Sequence, residues 1–278
     1  VIFEGLGFST EKAGRIDGVN GTITLTDLFD LKSPPDQTLL IDRIDPGLPF
    51  FGGVLKFQLL GGGKISIERA SFPFAGGELQ VAPTVWQPGG EHERLVIEAI
   101  RLQGPEIASL VNAGKLRLTG VLSGTIPAVL TRTGVKIENA WLEADQSGGV
   151  LKFEHEGTEA AGQADPGAKL AFDALRDLRY SIMRLGLDGD LAGEMSLTFV
   201  IEGQNPAIYG GQPIRMNMTI AAPLMALVNQ ASLATSGAVA VDRVRRLVSE
   251  NANTRRSGGV ADTPVQSRQE DENDRTRP

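Results

Sequence analysis

The sequence predicts a mainly β protein, and three observations carry that prediction. Stretches in which apolar and polar residues alternate recur along the chain to about residue 220. This is the period of strands with one dry and one wet face. The 34 glycines sit among many Val, Ile, Leu and Thr residues, as expected for short strands joined by tight turns. Helical periodicity is confined to a few short stretches.

Taken in order, Ile23-Thr24-Leu25-Thr26 alternates and reads as a strand. Leu55 to Leu59 and Ile65 to Glu68 flank Gly61-Gly62-Gly63, the pattern of a hairpin. The apolar parity then changes, from Ile65 and Ile67 to Ala70, Phe72 and Phe74. A bulge near Arg69, or a break in the strand, accounts for the change. Leu79 and Val81 follow a second Gly-Gly turn. Further strands are predicted over Arg94–Leu102, Leu116–Val121, Val135–Leu142 and Val150–His155. The alternation is clearest over Leu178–Leu187, Met195–Ile201 and Ile214–Ile220, with a turn predicted at Asp188-Gly189-Asp190. Short helices are expected over Pro105–Ala113, Ala168–Leu178, Pro223–Ala231 and Val239–Val248. The hexapeptide Gly52-Gly53-Val54-Leu55-Lys56-Phe57 recurs as Gly148-Gly149-Val150-Leu151-Lys152-Phe153, as repeated hairpins of one sheet would give. The pattern divides the chain into a β region over 1–222, a helical region over 223–250 and a polar tail over 251–278. That tail is too poor in apolar side chains to offset its ordering entropy and is expected to be disordered.

Composition excludes several functions. The net charge of −7 and the lack of a basic stripe argue against a nucleic-acid partner. Without cysteine there is neither a disulfide nor a thiolate metal site, which leaves the compartment open. No apolar run is long enough to span a bilayer; Ala221–Val228 is short and contains Pro223. The opening Val1-Ile2-Phe3, strand-like and without Met, reads as part of a longer chain whose targeting segment lies upstream.

The chemical motifs are weak. Gly61-Gly62-Gly63-Lys64 lacks the spacing of a phosphate loop and precedes a strand, so it reads as a turn. Asp188-Gly189-Asp190 lacks the further oxygen ligands of a calcium loop. Glu154-His155-Glu156 offers too few ligands for catalytic zinc, and the other histidine, His92, adds no third at a recognisable spacing. There is no nucleophile elbow and no Cys nucleophile. No catalytic residue, metal ligand or cofactor is therefore predicted, and a non-enzymatic role is expected. The apolar stripes fit either the core of a sandwich or barrel or an open apolar surface. Met195, Met216 and Met218 supply flexible thioethers suited to variable partners, although methionines also fill cores.

Several stretches resemble the C-terminal part of the YdbH family, within the AsmA-like group that includes TamB. They are Leu39 to Gly47, Ala70 to Gly77, Leu122 to Pro127, Leu187 to Leu191, Gly203 to Pro206 and Tyr209 to Pro213. The resemblance implies a long curved antiparallel sheet forming a U-shaped apolar groove. It implies a parent anchored in the inner membrane, crossing the periplasm and moving phospholipids toward the outer membrane, with a small outer-membrane lipoprotein as partner. The family has also been labelled dicarboxylate transport, for which these residues show no chemistry. On this reading the acyl chains would lie on Leu55, Phe57, Leu59, Ile65, Ile67, Phe72, Phe74, Leu79, Val81, Leu151, Phe153, Met195, Leu197, Phe199, Ile201, Ile214, Met216, Met218 and Ile220. The last strand, around Arg215, Asn217 and Thr219, has one charge and no proline between Ile214 and Ile220, and is expected to be an edge open to β-augmentation by the lipoprotein. The competing expectation is that the following helices fold back over that edge.

Overall fold

The structure is a computed structural model; it describes residues 1–12, 14–87, 93–111, 115–132, 134–154, 166–228, 233, 235 and 237–246. Residues Val1–Arg245 form one compact unit. The chain is mainly β, and fifteen strands make one antiparallel sheet. In chain order these are β1 (Ile2–Thr10), β2 (Gly14–Thr22), β3 (Gln37–Asp45), β4 (Phe50–Gly61), β5 (Lys64–Phe74), β6 (Gly77–Val81), β7 (Thr84–Trp86) and β8 (Glu93–Gln103). Helix α1 (Gly104–Leu110) precedes β9 (Lys115–Leu118), β10 (Val121–Thr131), β11 (Gly134–Ala144) and β12 (Gly149–Glu154). Helix α2 (Pro166–Leu175), β13 (Leu178–Asp190), β14 (Glu194–Gln204), β15 (Pro213–Pro223) and α3 (Leu224–Leu227) follow. A last described helix, α4, covers 237–246.

The main path runs β1-β2-β3-β4-β5-β6-β8-β10-β11-β13-β14-β15. Short strands fill in beside it: β7 continues the edge of β5 beyond β6, and β12, with β9 outside it, continues the edge of β13 beyond β11. The sheet is open, with β1 and β15 each paired on one side only among the described residues.

The parity change in β5 is a bulge. Lys56 pairs with Arg69 but Phe57 with Ile67, so Glu68 is the extra residue, and Ile65, Ile67, Ala70 and Phe72 all reach the same face. The Gly62-Gly63 turn has both φ values positive (58° and 72°), the conformation that two-residue hairpins favour and that other residues resist. The repeated hexapeptide also has a structural basis. Gly52 and Gly148 occupy the same left-handed conformation (φ 66° and 65°) at the same place in the motif, in β4 and just before β12.

Two local expectations are corrected. Ile23-Thr24-Leu25-Thr26 is not a strand. β2 ends at Thr22, and the segment is held by loop bonds, Thr24 N–H to Gln37 Oε1 (2.8 Å) and Thr26 N–H to the Lys32 carbonyl (2.8 Å). The predicted Asp188-Gly189-Asp190 turn falls inside β13; the chain turns at Leu191–Gly193 instead, where the Asp190 carboxylate accepts the Ala192 N–H at 2.9 Å. Glu154 is exposed at the end of β12, while His92, His155 and the 251–278 tail lie outside the described residues.

Contacts between distant strands show that the sheet rolls. β4 and β13 are six strand steps apart on the main path, about 29 Å in a flat sheet at roughly 4.8 Å per strand. Yet a Cβ placed on Gly47, in the β3–β4 turn, would lie 2.8 Å from Ala192 in the β13–β14 turn. Leu48 from the first turn is buried in one cluster with Leu130, Val135 and Leu191. A regular right-handed twist accumulated over many strands, with bulges adding to it, gives this coiling.

Candidate functional site

The pairing registers place one unbroken apolar row across the whole main path. Leu6, Val19, Ile41 and Gly53 stand opposite one another in β1 to β4. The bare Cα of Gly53 makes room for the Phe72 ring of β5. From Phe72 the row continues through Leu79, Ala99, Gly124, Leu142, Leu185, Phe199 and Met218, directly opposite partners in β6, β8, β10, β11, β13, β14 and β15. A second row on the same face runs Leu39, Leu55, Ala70, Val81, Ile97 and Ile126 from β3 to β10.

The residues singled out in the sequence fall into these and adjoining rows. Phe57 pairs with Ile67 and Leu59 with Ile65. Phe74 extends β5 on the same side, its ring 5.8 Å from that of Phe50. Leu151 and Phe153 pair with Leu118 and Leu116. Leu197 pairs with Ile220, Ile201 with Met216, Met195 with Ala222, and Gly203 with Ile214. Arg215, Asn217 and Thr219 turn to the opposite, polar face, where Arg215 meets Glu202 at 3.2 Å and Thr219 meets Thr198 at 3.2 Å. Inspection of the sequence missed Leu6, Val19, Leu39 and Ile41. Doublets such as Leu39-Leu40 hide the alternation, and only register separates their two faces.

The two halves of this face differ in cover. Toward the C-terminus Leu151, Met195, Ile201 and Met216 are buried, and Phe74, Leu79, Phe153, Leu197, Phe199, Ile214 and Met218 pack against the same clusters. The cover is the chain's own: Ile107, Ala108 and Leu110 of α1, Ala171, Ala174 and Leu175 of α2, and Leu233. Toward the N-terminus Leu55, Leu59, Ile65, Ile67, Phe72 and Val81 belong to neither cluster and are only half-buried, whereas Phe57 is buried. Leu6 and Phe8 are exposed, as is Ile220 at the far end of β15.

A buried polar side chain holds the covering helix α2 in place. The amide of Asn205, 2% exposed, donates to the Asp173 and Ala174 carbonyls, both at 3.1 Å, and so closes the last turn of α2. Its oxygen accepts the Ala207 N–H at 2.9 Å. Beneath, the Tyr180 hydroxyl donates to the Thr119 carbonyl at 2.5 Å, in a space that Gly120 and Gly149 leave open. Burial, with the Asp145 charge behind it, holds the Tyr180 phenol above its usual pKa. Surface ion pairs hold three carboxylates below theirs, Asp17 beside Arg15, Asp30 beside Lys32 and Asp177 beside Lys152. No cluster of potential metal ligands occurs among the described residues. A cavity of about 580 Å³ lies over β13 to β15, lined by residues that include Arg179, Glu202 and Arg215.

The model of the YdbH-like family, described as intermembrane phospholipid transport protein YdbH, matches residues 1–236. The chain belongs to this family. No curated protein and no solved structure matches it. The stretches behind the resemblance lie at turns and packing points. Phe72 and Phe74 lead into the Ala75-Gly76 turn, Leu122 is fully buried, and Asn205 carries α2. YdbH-like membership supports a role in lipid transport for the chain, and its rolled, one-sided apolar sheet fits that role.

Proposed function

We propose that this chain is a segment of an apolar groove that carries phospholipid acyl chains between the inner and outer membranes. The observation that carries the reading is the row from Leu6 to Met218, apolar or glycine at every strand of the main path, in a member of a phospholipid-transport family. Burying an acyl chain contributes about 0.8 kcal/mol per CH₂, or roughly 13 kcal/mol for sixteen carbons. An unbroken stripe offers similar affinity at successive strands, which movement requires. The half-buried stretch around Leu55, Ile65, Ile67 and Val81 is where chains lie in this conformation, because α1 and α2 already cover the C-terminal stretch.

In this reading the parent protein is anchored in the inner membrane and works in the periplasm. No described helix is long and apolar enough to cross a membrane. The open side of β15 receives a strand from the small outer-membrane lipoprotein. The support is that β15 pairs with β14 alone among the described residues, while α4 lies on β3 and β4.

The test is photocrosslinking with benzoylphenylalanine at Leu55 or Ile67, against Glu98 and Thr125 on the polar face. Phospholipid adducts at the first pair and none at the second are expected. Adducts at neither pair, or equally at both, would refute the groove.

A further inference from the structure

We infer that α4 is a strap that latches the rolled sheet shut, and that its release opens the inner face to acyl chains. This rests on the groove reading above, which it deepens by naming the element that controls access.

The path of the chain is the first observation. After β15, the last strand, the Leu224 N–H donates to the Gly193 carbonyl at 3.2 Å, and Val228 bridges to Val111 beyond α1. Leu233 is then buried among Leu48, Leu110 and Leu191. From there 237–246 runs onto β3 and β4. The segment thus ties the final strand to strands near the start of the sheet, the two parts that rolling has brought together.

The second observation is that the seat of α4 is shaped to receive it. A Cβ on Gly237 would lie 2.3 Å from the Phe51 ring, and one on Gly52 would lie 2.9 Å from the Ala240 backbone. A Cβ on Gly18 would lie 2.1 Å from the Asp42 carboxylate. Asp42 stands between these glycine strands and accepts two bonds from the Arg245 guanidinium, the Nε one at 3.2 Å. Side chains have been omitted at three positions so that helix backbone and carboxylate can approach.

The third observation is that the seat is shallow. Both partners of the Arg245–Asp42 pair keep contact with water, and Val239 on the same helix is 58% exposed. Of the described residues 237–246 only Gly237 and Val244 are buried, and a short helix is marginal once undocked. Such an element opens well before the sheet does. Close fit with small burial suits a reversible latch rather than a permanent part of the core.

The chain has no native cysteine, so Asp42→Cys with Arg245→Cys gives a single pair that a short bis-maleimide can span in place of the long Arg245 side chain. Uptake of a fluorescent phosphatidylethanolamine from phosphatidylethanolamine/phosphatidylglycerol vesicles is then measured. The cross-linked form should load at least tenfold more slowly than the same double variant before cross-linking. Arg245→Glu and Gly237→Leu, which release the strap from different ends, should both load faster than wild type. In parallel, Ala240→Cys should react with a maleimide at least tenfold faster in the Arg245→Glu background than alone. Equal thiol reactivity in the two backgrounds, or equal uptake by the double variant before and after cross-linking, overturns the latch. Absence of uptake in every form while Arg245→Glu still exposes position 240 overturns the groove reading and leaves the strap standing as a structural element without control of lipid.

Discussion

Asn205 and Tyr180 are the two polar side chains on which the covered half of the face depends. The Asn205 amide caps carbonyls at the end of α2 from a site with almost no solvent access. Asn205→Ala leaves those carbonyls without that donor and should cost about 1–3 kcal/mol, read as a lower urea midpoint and faster exchange of the α2 amides. Tyr180→Phe removes one hydrogen bond and should cost about 1 kcal/mol at neutral pH. Its pH dependence has a definite sign. The folded phenol titrates above its ordinary value because it is buried, so the unfolded chain gives up that proton first. The stabilisation from the neutral phenol is whole below the ordinary tyrosine value of about 10 and is lost as the pH rises toward the folded one. The wild type should therefore lose more stability above about pH 10 than Tyr180→Phe, measured by denaturation at stepped pH. Neither role was legible in the sequence. Asn205 reads there as a turn residue before Pro206, and only packing turns it into a cap.

At the scale of the strand, alternation gave the apolar faces wherever the period of two was intact, as in β14 and β15, whose residues pair without a register shift from Glu194 to Gln204. It failed where a residue is inserted. Tyr180 pairs with Gly203 and Ile182 with Glu202, so Ser181 is the extra residue and Ile182 turns outward, 44% exposed, although it continues the apparent stripe of Leu178 and Tyr180. Glu68 is the counterpart in β5 and rescues Ile65 and Ile67 for the inner face. Deleting Glu68 leaves Ile65-Ser66-Ile67-Arg69-Ala70 in unbroken alternation with the same partners, so both isoleucines should stay on the inner face and the cost should fall below the roughly 1.5–3 kcal/mol that full burial of one such side chain is worth. Equilibrium unfolding in urea would show this, and a loss of about 2 kcal/mol or more would mean that the register on either side of Glu68 is not the one described. The edge of β15 makes a further prediction. Asn217→Pro removes one backbone donor from a strand that pairs only with β14 among the described residues. Capture of the outer-membrane lipoprotein should fall at least fivefold for this variant and stay unchanged for Glu4→Pro on β1, with folding checked by circular dichroism. Equal capture would remove β15 as the docking edge.

For the molecule as a whole, the roll of the sheet was the least legible feature. Each hairpin can be found from local sequence, but twist accumulates over many strands and no local pattern reports the sum. The family resemblance implied curvature; the contact of Gly47 with Ala192 gives it a residue-level basis. Leu48 and Leu191 belong to turns of β3–β4 and β13–β14 that are far apart along the sheet, yet both are buried in one cluster, 7% and 9% exposed. Leu48→Ala and Leu191→Ala should each cost about 2–4 kcal/mol, within the usual range for a buried leucine. Independent sites separated as in a flat sheet would add within roughly 0.5 kcal/mol. Two residues sharing one cluster should not, because the cavity left by the first removes part of what the second would lose. A double-mutant cycle by urea unfolding should therefore give a coupling of about 0.5 kcal/mol or more. The same cycle between Leu48 and Leu178, a buried residue of the other cluster, should be additive. If Leu48 and Leu191 prove additive as well, the two turns do not meet in solution, the rolled sheet is flatter than described, and the strap would have no closed corner to hold.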